Sequence, residues 1–144
     1  MEPVTQKRAE LLLGYLREVR SLGPKFRPGR FDCALFAAEW AKRCTGRDLA
    51  AEWRGSYRRL QEGRDKLRIA GFNDVADLAA SHLQEIVGWE RSRLGDIAAI
   101  EHEGETAFGV IGGPQIHVLS AVGLDYVHLD SAARIFRPGS ASSR

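Results

Sequence analysis

An aspartate-cysteine pair, Asp32-Cys33, opens the run Cys33-Ala34-Leu35-Phe36-Ala37-Ala38-Glu39-Trp40-Ala41, which is apolar around most of a helical circumference. Asp32 is a natural N-cap, so Cys33 falls in the first helical turn. Free backbone N–H groups and the positive end of the helix dipole favour a thiolate there, and the thiolate is the nucleophilic form. Position alone divides Cys33 between a reactive thiol and a small core hydrophobe. A cysteine nucleophile also needs a base in hydrogen-bond reach and often a third group to orient that base.

Four histidines are available: His82, His102, His117 and His128. His82 falls on an amphipathic helix, His102 stands between Glu101 and Glu103 at a strand end, and His128 lies near the end of another strand. His117 differs, because it sits in a hairpin strand after the Gly112-Gly113-Pro114 turn, between Ile116 and Val118. On these residues alone it is either a base or a satisfied sheet histidine. The cysteines and histidines lack the spacing of a metal site, and no phosphate-cradling glycine loop occurs, so neither a metal nor another cofactor is expected.

These side chains need elements to hold them. Thr5 can cap a first helix in which Leu11, Leu12, Tyr15, Leu16, Val19 and Leu22 recur at three- and four-residue steps, and Gly23-Pro24 ends it. The second helix runs from the Asp32 cap to Thr45-Gly46. A third is expected from near Asp48, with Leu49, Trp53, Tyr57 and Leu60 on one side, and a fourth from an Asn73 cap to about Val87. After Gly95-Asp96 the periodicity shortens, which predicts strands at 96–102, 106–111, 115–120, 123–128 and 133–137. Helices followed by an antiparallel meander make an α+β domain.

The chain has 144 residues, so one domain is expected, over 1–138, with a flexible tail at 139–144. A formal charge of +2, from 21 basic and 19 acidic residues, requires no polyanionic partner. Residues 106–124 carry no charged side chain, but the Gly112-Gly113-Pro114 break makes a hairpin the better reading than a membrane span. Met1 to Arg8 is charged and leads into no signal-type apolar run, so nothing in the sequence directs export. Cys33 and Cys44 lie on one expected helix about 16 Å apart, too far for a disulfide, which fits synthesis in a reducing compartment.

Phe31 to Trp40, the strand opening Gly95-Asp96-Ile97-Ala98 and the strand Phe108-Gly109-Val110-Ile111 together resemble NlpC-type cell-wall cysteine peptidases. More narrowly, Thr45-Gly46-Arg47-Asp48 and Arg54-Gly55-Ser56-Tyr57 resemble segments of the small NlpC-like proteins encoded among bacteriophage and gene-transfer-agent tail genes. The resemblance spans roughly residues 26–137. It implies a papain-like fold with the cysteine helix packed on a sheet, and a family chemistry of peptide-bond cleavage in peptidoglycan. Cys33 matches the family nucleophile, whereas the catalytic histidine position is Ala107, and His117 falls near the third, orienting position.

One strand register would let His117 substitute. If the turn sets Ile111 opposite Gln115, Gly109 faces His117, and His117 shares a face with Ala107 at a diagonal of about 7–8 Å. General-base catalysis needs contact near 3 Å, so the expectation is attenuated or lost activity.

The resemblance thus implies a phage tail or tail-tip component in assembly or docking, placed in the virion tail and in the host cytoplasm during assembly. Its partners would be other phage tail proteins, with peptidoglycan as a further candidate, no nucleic acid and no membrane insertion. The alternative is an active peptidoglycan endopeptidase or amidase using Cys33 and His117. A third reading, nucleic-acid binding by Arg54, Arg58, Arg59, Arg64, Lys66 and Arg68, competes with a solvated face relieved by Glu52, Glu62 and Asp65.

Overall fold

The computed structural model describes residues 4–21 and 25–139, so the Gly23-Pro24 stop and all but the first residue of the expected tail lie outside the described residues. The architecture is α+β, with, among the described residues, four α-helices followed by a six-stranded antiparallel sheet. The helices are α1 (Val4–Ser21), α2 (Cys33–Thr45), α3 (Leu60–Ile69) and α4 (Val75–Ala80). The strands are β1 (Gln84–Ile86), β2 (Ile97–His102), β3 (Glu105–Ile111), β4 (Gln115–Ser120), β5 (Gly123–His128) and β6 (Ala132–Arg137).

Helix α2 is the centre of the molecule because Leu35, Phe36, Ala37, Trp40, Ala41 and Cys44 are buried around most of it, leaving Glu39, Lys42 and Arg43 as its polar side. Phe36, Ala37, Trp40 and Ala41 pack against Leu12, Tyr15 and Leu16 of α1 on one side and Ile97, Phe108, Val110 and Phe136 of the sheet on the other. Phe36 and Trp40 are fully buried, and each large apolar side chain so enclosed contributes roughly 1.5–3 kcal/mol. The polar atoms of this aromatic core have partners: Tyr15 donates to the Phe36 carbonyl at 2.7 Å and the Trp40 indole to the Gly95 carbonyl at 2.7 Å. Gly46 ends α2 in the left-handed conformation, its N–H donating to the Lys42 carbonyl.

The sheet order is β1-β6-β2-β3-β4-β5. Strands β2 to β5 form the expected meander, but β6 returns across the sheet to lie between β2 and β1, which the hairpin signals alone did not indicate. The second face carries its own cluster of Ala98, Ile100, Ile111, Ile116 and Ile135, so both faces of β2, β3 and β4 are apolar. At the β2–β3 tip, Glu103 (φ 52°) and Gly104 (φ 79°) both have positive φ, the requirement of a tight two-residue turn matched to strand twist.

Three expectations fail locally. Residues 48–59 form turns rather than the start of a helix, and α3 begins only after Arg59, because Gly55-Ser56 interrupts the period that Leu49, Trp53 and Tyr57 suggested. Helix α4 is capped by Asp74, not Asn73, and stops at Ala80, leaving 84–86 to pair with β6 as a strand. Helix α1 starts at Val4, so Thr5 lies inside it rather than capping it.

Candidate functional site: the Cys33 cleft

The loop before α2 shapes the site. Arg27 and Phe31 pair across a tight turn, and Gly29 occupies its corner at φ +80°, where a Cβ would fall 1.8 Å from the Tyr57 carbonyl oxygen. Only glycine fits there. The turn delivers Asp32, almost wholly buried, to the helix end. Its Oδ1 accepts the Leu35 N–H at 3.0 Å, and its Oδ2 accepts the Gly29 N–H at 3.0 Å and the Tyr57 hydroxyl at 2.5 Å. Burial and the adjacent Asp32 carboxylate push the Tyr57 phenol well up, so it stays a donor.

Cys33 follows, in the first turn of α2 as its spacing implies, and is partly exposed. Its sulfur faces the backbone N–H of Phe108 in β3 and those of Ala34 and Cys33 itself, all of which favour thiolate. Burial opposes them more strongly, and the Asp32 charge adds to it, so the thiol is pushed above its ordinary range. The resting group is therefore a neutral thiol, against the expectation from the helix end alone. Cys44, at the far end of the helix, is buried and pushed up to about 12. Both thiols are free.

Cys33 opens onto a cleft of about 660 Å³ between α2, α3, α4 and the β2–β3 tip, floored by Ala37, Ala38 and Ala41 and walled by Leu67, Leu78 and Phe108. Ala107 lines this cleft, and it also packs with the outer-face cluster. His82 and His102 sit on its exposed rim.

His117 is elsewhere. The observed register sets Ile111 opposite Ile116, Val110 opposite His117 and Gly109 opposite Val118, one residue off the pairing that would have put His117 opposite Gly109. Because side chains alternate, that slip moves His117 to the face opposite Ala107. The His117 ring lies over Gly112, close enough that a Cβ there would come within 2.6 Å of Nε2, with Leu12 of α1 beside it. It is not among the residues lining the Cys33 cleft. Burial and the Arg20 charge lower its pKa, leaving a neutral imidazole. His128 accepts the Asp130 N–H at the end of the edge strand β5.

Two other sequence motifs are structural. Gly95 (φ +93°) packs so closely that a Cβ would meet the Arg8 side chain at 2.7 Å, and buried Asp96 takes a bidentate pair from Arg137 at 2.9 and 2.8 Å. The basic stretch is largely engaged: Arg54 pairs with Asp48, Arg64 with Glu105 and Arg68 with Asp65, and Lys66 covers the Trp53 ring. Among the described residues, no helix is long and apolar enough to cross a membrane.

Sequence reasoning missed Tyr57 as part of the site, placing it on a helix face. Its signal was the Gly55-Ser56 pair before it, which favours a turn. A family model described as a domain of unknown function (DUF6950) matches residues 5–138. No curated protein matches the chain.

Proposed function

Starting from the chain's membership of the DUF6950 family, to which it belongs over residues 5–138, we propose that it is a phage tail or tail-tip component on a papain-like, NlpC-type fold, with attenuated or lost hydrolase activity. The observation that carries the proposal is the composition of the Cys33 cleft. The thiol stands at the amino end of a central helix against β3, the arrangement a cysteine hydrolase requires, yet what it meets on β3 is the Phe108 backbone N–H, and Ala107, which lines the same cleft, offers no imidazole. A burial-raised thiol without an adjacent imidazole has no group to take its proton.

His82 and His102 belong to the rim, and His102 stands beside Glu103 in solvent. The observed register sets His117 opposite Val110, on the sheet face that packs on α2, but His117 does not line the cleft, so it is not the displaced base that an active peptidoglycan endopeptidase would need beside the thiol. The cleft itself persists without chemistry, as a preformed apolar surface for other tail proteins.

The test has two arms. Purified protein incubated with muropeptides under reducing conditions is expected to release no cleavage product, and virions carrying Cys33→Ala are expected to assemble and infect normally. Muropeptide cleavage abolished by Cys33→Ala, or loss of infectivity with intact tails, overturns the reading.

A further inference from the structure

Helix α3 is the lightly anchored wall of the cleft. Of its ten residues only Gly63 and Leu67 are buried, while Leu60 is 40% and Ile69 88% exposed. Gly63 lets the helix rest on the Tyr57 ring, where a Cβ would stand 3.1 Å from the nearest ring carbon. An element with so little buried apolar surface opens at the low end of a protein's range of local stabilities.

The opposite wall is firm. The two-residue turn at Glu103-Gly104 fixes Glu105 opposite His102, and the next residue, Thr106, donates to Asp74 and Glu101. Among the described residues, one ion pair joins the two walls, Arg64 Nε to Glu105 Oε1 at 3.3 Å, and both residues line the same cleft as Cys33. The Arg64 Nε is buried yet makes no aligned hydrogen bond, with its guanidinium otherwise bonded to Gln61. Closure thus strands a donor that water would satisfy, so the closed wall is held by charge against a desolvation cost.

We propose that α3 is a flap over the Cys33 cleft, latched shut by the Arg64–Glu105 ion pair, and that opening this latch governs access to the Cys33 thiol. The inference depends on the cleft's geometry and not on any chemistry at the thiol, so it stands or falls apart from the function proposed above.

The experiment is alkylation of the native protein by a neutral probe, N-ethylmaleimide, with Cys33 and Cys44 followed separately by peptide mass spectrometry. Arg64→Gln and Glu105→Gln are each expected to speed Cys33 labelling severalfold with Cys44 unchanged, and the exchange R64E/E105R to return the rate toward that of the unaltered protein. A through-space charge effect would instead give opposite signs, since losing the cation disfavours thiolate and losing the anion favours it. Opposite signs, unchanged rates, or a joint rise of both thiols overturns the latch.

Discussion

The Tyr57 hydroxyl donates to Asp32 Oδ2 across 25 residues of chain, tying the turn that precedes α3 to the cap of α2. The bond matters to the site because Asp32 is both the helix cap and the immediate neighbour of Cys33. Tyr57→Phe leaves this buried carboxylate with its two backbone donors alone, and a lost bond to a buried charge costs about 1–3 kcal/mol. Urea unfolding is the measurement. A change below about 0.5 kcal/mol would remove Tyr57 from the account of how the cap is held.

Gly109, in the middle of β3, has no room for a side chain. A Cβ would meet Ile116 Cγ2 at 2.4 Å, the His117 carbonyl oxygen at 2.7 Å and Val118 Cγ1 at 2.8 Å. Gly109→Ala must therefore push β4 away from β3 or shift its register, at an expected cost of about 1–3 kcal/mol or more. Thermal unfolding of this variant, compared with Gly14→Ala on the open surface of α1, separates the clash from a general effect of replacing glycine. An equal or higher melting temperature for Gly109→Ala contradicts the packing.

Asp96 is buried, with Arg137 holding both carboxylate oxygens and the Arg93 N–H donating at 2.8 Å. Removing one partner of such a pair strands the other charge. Arg137→Met is expected to destabilise by about 2–4 kcal/mol, less than the roughly 3–5 of a fully enclosed pair because Arg137 keeps part of its surface in water. Adding Asp96→Asn should recover part of the loss, since the stranded charge is then gone. Failure of the double variant to recover any stability would mean that the pair's geometry, rather than its charge, is what β2 and β6 need.

Much of this arrangement was legible in local chemistry. The α2 cap, its left-handed glycine stop and strands β2 to β6 follow from short-range rules, and the observed strand edges fall within one residue of the expected ones. The return of β6 beside β2 depends on long-range pairing that no turn signal encodes. The His117 register failed for a sharper reason: a three-residue turn at Gly112–Pro114 would set Ile111 opposite Gln115, whereas the Gly112 N–H donates to the Gln115 carbonyl at 2.9 Å and Gly113 takes a positive φ of 92°, so the connection is the two residues Gly113-Pro114 and Ile111 falls opposite Ile116. One residue of slip then decided which face the imidazole took. Tyr57 was hidden because its spacing from Trp53 imitates a helix that Gly55-Ser56 breaks.

The Cys33 thiol lies above its ordinary range because burial outweighs the N–H groups around the sulfur. Alkylation by a neutral probe follows the thiolate fraction, so the Cys33 rate should still be climbing at pH 9, beyond the inflection near 8.5 of a free cysteine. The same shifts fix the sign for stability. A group whose pKa is raised by folding stabilises the native state fully below its unfolded value, and that contribution is lost as pH rises through the folded value. For Cys44, pushed up to about 12, the window runs from about 8.5 upward. The melting temperature should therefore fall between pH 8 and pH 10, and Cys44→Ala should flatten the fall. An inflection for Cys33 below pH 7 would mean that the helix-end donors win over burial. The cleft would then hold an activated nucleophile, and the proposed loss of hydrolysis would have no basis in the thiol.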